Sequence, residues 1–216
     1  MKENLEGMLE VAIEEEMLYN ESEALEAMNP ETFDDAGFIS DIDEVRTDET
    51  AEIMAEVFSR DVLESWAEMS LEEKSSKLNE YYIKAGANLG IETKGVIVEP
   101  LESEQPGMIS FGYNSGDGYI HINENVLNEP TYLAQVLDTA THEMRHQFQN
   151  DVLASPENFT DIPQNVFDTW EYEMQPENYI SPDYDYQGYY EQAIECDARG
   201  FAENVLDSYT QKMNLN

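Results

Sequence analysis

The sequence predicts an α+β chain, with one small antiparallel or mixed sheet next to a long helix and a second helix near the C-terminus. Three observations carry this. Apolar residues recur at helical spacing over 131–150 and again near the C-terminus. Before both, residues 94–123 alternate around a turn cluster. Apolar residues make up 41% of the 216, enough for a core.

The elements follow in order. Residues 1–60 hold 19 acids and 3 bases, and Met8, Val11, Ala12 and Leu18 form a helical stripe. This predicts an acidic, helical N-terminal segment, broken at Asn29-Pro30. Residues 61–216 are expected to form the main domain. Helices are predicted at 48–59 and 61–87, with Ser70 and Glu73 spaced as a capping box. Lys94–Glu99 reads as a strand. Met108–Tyr113 and Tyr119–Asn123 flank the turn cluster Asn114-Ser115-Gly116-Asp117-Gly118, a hairpin signal. Asn128-Glu129-Pro130 then breaks the chain before the long helix. Residues 151–188 carry four prolines, seven aromatics and nine acids with no lysine or arginine, and read as a partly ordered insertion. A last helix is predicted from Tyr190 to Tyr209, with Ile194, Ala198, Phe201, Ala202 and Val205 as its buried stripe.

The charge narrows the function classes. With 48 acids against 10 bases the net charge is −38, a field that repels phosphates and disfavours direct nucleic-acid binding. Basic polypeptides and metal ions are the favoured partners. Cys196 is the single cysteine, so no intramolecular disulfide forms, and it reads as a small half-buried residue. No apolar run has signal-peptide or membrane-span length, which points to the cytoplasm. Asn158-Phe159-Thr160 is a glycosylation sequon without a visible secretory route. Asp183-x-Asp185-x-Gln187-Gly188 opens like a calcium loop, but Ile194 stands where the bidentate glutamate is needed.

The chemistry concentrates at residues 142–146, His-Glu-Met-Arg-His. Positions four apart share a helix face, so His142 and His146 can reach one metal ion. Glu143 lies about 100° around the helix, placed to act on water at the metal without binding it. The chain has three histidines and 33 glutamates, so a chance pair at this spacing with Glu in second place has a probability of roughly 0.004. A catalytic zinc site needs a third ligand and an open position. His121 is the other histidine, on the hairpin strand; Glu191 and Glu195 lie on the last helix, and helical geometry leaves both open.

The last helix reads Glu195-Cys196-Asp197-Ala198-Arg199-Gly200-Phe201-Ala202. Together with His-Glu-x-x-His this resembles the compact gluzincins, most closely the minimal metallopeptidase domains of the ImmA/IrrE type. There a Glu-x-x-Ala-x-x-Phe-Ala helix supplies the third ligand. The resemblance spans roughly residues 90–210. It implies a zincin-like fold, zinc held by His142, His146 and Glu195, Glu143 as general base, and hydrolysis of a peptide substrate. Asp138, one turn before His142, and Asp197 are candidates to accept a ring N–H from a ligand histidine. Arg145, His121, Tyr189 and Tyr190 are candidate donors to an oxyanion. The competing expectation is an acidic interaction or inhibitor protein, of a phage or mobile-element type, with a structural or vestigial zinc site. Intact Glu143 argues against it, because a structural site has no use for a base.

Overall fold

The computed structural model describes residues 40–102, 109–182 and 184–215. The predicted helical stripe and break within residues 1–39, and the first residue of the expected 108–113 strand, lie outside them. Three helices open the described chain: α1 Ser40–Val57, α2 Arg60–Ser65 and α3 Leu71–Leu89. Three strands follow: β1 Gly95–Glu99, β2 Gly112–Asn114 and β3 Tyr119–Asn123. The remaining helices are α4 Glu124–Asn128, α5 Leu133–Ala154, α6 Gln164–Glu173, α7 Tyr186–Glu191 and α8 Ala193–Met213. The chain is thus α+β, with a small mixed sheet under a helical layer. Among the described residues no helix is long and apolar enough to cross a membrane.

The expected helix over 61–87 is two helices. After α2 the chain tightens into a 3-10 turn at Trp66–Glu68 and restarts at Ser70. The Ser70 hydroxyl accepts the Glu73 N–H and the Glu73 carboxylate accepts the Ser70 N–H, so both orphan donors of the first turn are satisfied. At the other end of α3, Gly90 adopts φ 75°, the left-handed conformation that closes a helix without a Cβ clash.

The hairpin forms as expected, but the sheet order is β1-β3-β2. β3 is central, parallel to β1 and antiparallel to β2. Ile120 and Ile122 point from β3 into the core, while His121, between them, points to the other face. β1 rests on α3, and β2 rests on α5. Gly112 makes the second contact possible: a Cβ there would come 2.5 Å from the His121 carbonyl oxygen and 3.0 Å from the Thr139 methyl of α5. Asn114 completes it, donating its amide to the Glu143 carbonyl at 2.9 Å.

α5 and α8 pack along each other, and Ala140 on one and Ala198 and Ala202 on the other are fully buried, small side chains that let the backbones approach. α1 packs on α8 and α3, burying Ala51, Met54 and Val57. The described part of the acidic N-terminal segment therefore shares one core with the rest. The 151–188 stretch is more ordered than its composition suggested. α5 runs on to Ala154, and Phe159, Val166 and Trp170 are buried, with Phe148 of α5 edge-on to both aromatic rings. Phe159 and Trp170 are core residues of a helical cover over α5 and α8, while Tyr172, Tyr179, Tyr184 and Tyr186 are exposed.

Candidate metal centre

His142 and His146 project from the middle of α5, one turn apart, their Nε2 atoms 3.0 Å from each other and their rings edge to face. Glu195 stands in the first turn of α8 and is 2% exposed. Its Oε2 lies 3.4 Å from both ring nitrogens and, although buried, makes no hydrogen bond. These are the three residues, among those described, that could jointly hold a metal ion.

The fit can be judged from the triangle they form. Edges of 3.0, 3.4 and 3.4 Å compare with about 3.3 Å between neighbouring ligands of a tetrahedral zinc with bonds near 2.0–2.1 Å. Two imidazoles and one carboxylate are also the donor set of hydrolytic zinc sites, and a fourth position is left over. The electrostatics agree. Burial opposes charge on Glu195, but the two facing imidazoles outweigh it and hold its carboxyl well below the usual range. Burial likewise opposes an imidazolium at His146, but Glu195 overrides it and pushes that pKa up to about 9. The group is arranged around a positive charge.

Glu191, the alternative ligand, is exposed and accepts the Gln187 amide at 2.6 Å. The cause lies in the backbone. α7 ends at Gln192, which is extended (φ −60°, ψ 138°), and α8 starts anew at Ala193. The expected 190–209 helix is therefore interrupted, and Glu191 and Glu195 do not share a helix. The Glu173 carboxylate at the end of α6 accepts the N–H groups of Ala193 and Ile194 and so fixes where α8 begins.

His146 is oriented by a residue that sequence reasoning missed. Gln149 is fully buried; its amide nitrogen donates to Ile194 O at 2.9 Å and Asp197 Oδ2 at 2.7 Å. Its carbonyl end is therefore the one that faces His146 Nδ1, at 2.8 Å. That arrangement places the ring hydrogen on Nδ1 and a lone pair on Nε2, towards the site. Asp197, expected to accept a ring N–H itself, acts one bond further out, through Gln149. The i, i+3 spacing of Gln149 from His146 is the sequence signal for this contact. We expect Gln149→Leu to bind zinc about 10- to 100-fold more weakly, measured by chelator competition. An unchanged affinity would rule out this orienting role.

The other candidates separate. Arg145 cannot donate to an oxyanion: it is 0% exposed and points away from the site. Its guanidinium donates to Asp197 at 2.8 Å through Nε and through a terminal nitrogen, and to Asp43 of α1, with Phe148 and Phe201 rings against it. One residue before His146 on a helix is 100° around, which aims it at α1 and α8 instead. His121 pairs with Glu99 at 2.7 Å and stacks on Tyr113, outside the triad. Tyr190 lies under the Arg199 guanidinium. Tyr189 does face the site: burial and the neighbouring Glu195 carboxylate raise its pKa well above the ordinary phenol value. Tyr179, from the 151–188 stretch, was not foreseen; its hydroxyl donates to Glu195 Oε1 at 3.4 Å. Glu143 is half-buried, directly after His142 on α5, and its charge is felt by His146, Tyr179 and Tyr189 as well as by the buried Tyr82. Asp138 is half-buried on α5, one turn before His142.

Compared with protein-family models, curated proteins and solved structures, the chain matches none of them.

Proposed function

We propose that this chain is a zinc-dependent metallopeptidase with a zincin-like active site. The observation that carries the reading is the convergence of His142, His146 and the otherwise unbonded, buried Glu195 Oε2 beside Glu143. Zinc held by these three side chains would polarise a substrate carbonyl and make a water acidic. Glu143 is the base that takes the water's proton and returns it to the leaving amine. Tyr179 and Tyr189 bring hydroxyl donors next to Glu195, from where they could serve a developing oxyanion. β2 is the edge of the sheet and is clamped to α5 beside Glu143, so a peptide can add to it as a further strand. The charge of −38 favours basic polypeptide substrates and disfavours nucleic acid.

Metal analysis and an unbiased peptide library test this directly. Purified protein should carry one zinc per chain, and His146→Ala none. Hydrolysis of library peptides should stop with a chelator and return with added zinc. Full occupancy in His146→Ala, or no hydrolysis by zinc-loaded protein, would count against the reading.

A further inference from the structure

A row of four tyrosines leads away from the metal centre. It begins at Tyr179, whose hydroxyl reaches Glu195 Oε1, and continues through Tyr189 and Tyr186 to Tyr190. Successive ring centroids along it are 6.4 Å apart. Tyr179 is 41% exposed and Tyr186 48% exposed, so the row is part of the surface at both its inner end and its middle. Asp185, which caps α7, and Glu191 at its end are acidic and exposed, and no lysine or arginine occurs anywhere between Arg145 and Arg199. At its outer end the row already holds a cation, the Arg199 guanidinium, 3.7 Å above the Tyr190 ring.

We propose that this row is the recognition surface for a lysine or arginine side chain of the substrate, next to the bond that is cut. It rests on the metallopeptidase reading and assigns specificity to that site. The negative face of an aromatic ring attracts a cation, most strongly where water is partly excluded. Asp185 and Glu191 add long-range attraction, and the nearby base Arg199 sits at the outer end of the row, on Tyr190, away from Tyr179 at the inner end. The Tyr179 hydroxyl lies 3.4 Å from Glu195 Oε1, so the inner end of the row borders the metal-binding group. Arg199 on Tyr190 is an intramolecular instance of the same contact. A neutral side chain of equal size would gain neither the ring attraction nor the field.

The test uses zinc-loaded Glu143→Gln protein, which binds without cleaving, and labelled nine-residue peptides in pairs that differ by arginine against citrulline at one position. At one position the arginine peptide should bind about three- to tenfold tighter, and the advantage should shrink in high salt. Tyr186→Phe should keep the preference, because the ring face remains; Tyr186→Leu should lose it. Equal binding of the arginine and citrulline peptides at every position overturns the inference, and so does a preference that survives in Tyr186→Leu. Should the leucine variant fail to fold, the arginine–citrulline comparison and Tyr186→Phe decide alone. Cleavage by the unmutated protein, run on the same pairs, separates the two claims. Cleavage without preference overturns the tyrosine row and leaves the peptidase. Preferential binding lost in Tyr186→Leu, with no cleavage by unmutated protein, supports the row as a binding surface and overturns the peptidase.

Discussion

Glu143→Gln should keep its zinc and lose peptide hydrolysis by about 10²- to 10⁴-fold in kcat. The amide has the size and shape of the carboxylate, so the helix, the Asn114 bond to the Glu143 carbonyl and the His142, His146 and Glu195 triad are unaffected. What disappears is the only atom pair in that position able to accept a proton from water and hand it on. Because the base acts in the transition state and not in ground-state binding, KM should move little. Zinc content by elemental analysis and kcat on a cleaved library peptide check the two halves separately. If variant and unmutated protein cleave equally, the hydrolysis belongs to a contaminant. If the variant also loses zinc, Glu143 is holding the site together and the assignment of base fails.

The parts of this site that were legible in the sequence are those that depend on local periodicity. His142, Glu143 and His146 fall on a helix whose apolar stripe, Val136, Leu137, Ala140 and Met144, is buried as the 3.6-residue repeat demands. The hairpin was legible because its turn residues are specific; Gly116 and Gly118 both take positive φ. The choice of Glu195 over Glu191 was not available from spacing. It follows from an interruption at Gln192, held by Gln192 bonding to both the N–H and the carbonyl of Ile180, twelve residues away. No window of sequence centred on the last helix contains that information. The parallel pairing of β1 with β3 is likewise non-local, since the strand between them in sequence lies outside them in space.

Composition understated the order of one stretch. Residues 151–188 have the prolines and acids of a loose insertion, yet Phe159, Val166 and Trp170 are buried. That packing has a consequence for the site. Glu173 ends α6 and caps α8, so the placement of Glu195 is set by the stretch that looked least structured. Tyr179 joins the site from the same stretch.

Arg145→Met should destabilise the fold by about 3–5 kcal/mol, the largest effect expected of any single change outside the metal ligands. Arg145 is fully buried, and its guanidinium pairs with Asp197 on α8 and Asp43 on α1, both almost fully buried too. Methionine fills much of the volume and leaves the packing against Phe148 and Phe201. It removes the positive charge between two carboxylates: Asp43 keeps Arg46 at 3.2 Å, but Asp197 then stays inside without a counter-ion. The cost is chiefly that of the stranded Asp197 rather than of the lost bonds, which separates this from a packing defect. Accordingly, Arg145→Met combined with Asp43→Asn and Asp197→Asn should recover a substantial part of the loss, whereas a packing defect would be made no better. Urea unfolding at constant slope measures both steps. The single variant should also bind zinc more weakly even where it remains folded, because Asp197 accepts from Gln149 and Gln149 orients His146. A loss under 1 kcal/mol, or a triple variant no more stable than the single, would show that the buried cluster is not what ties α1, α5 and α8 together.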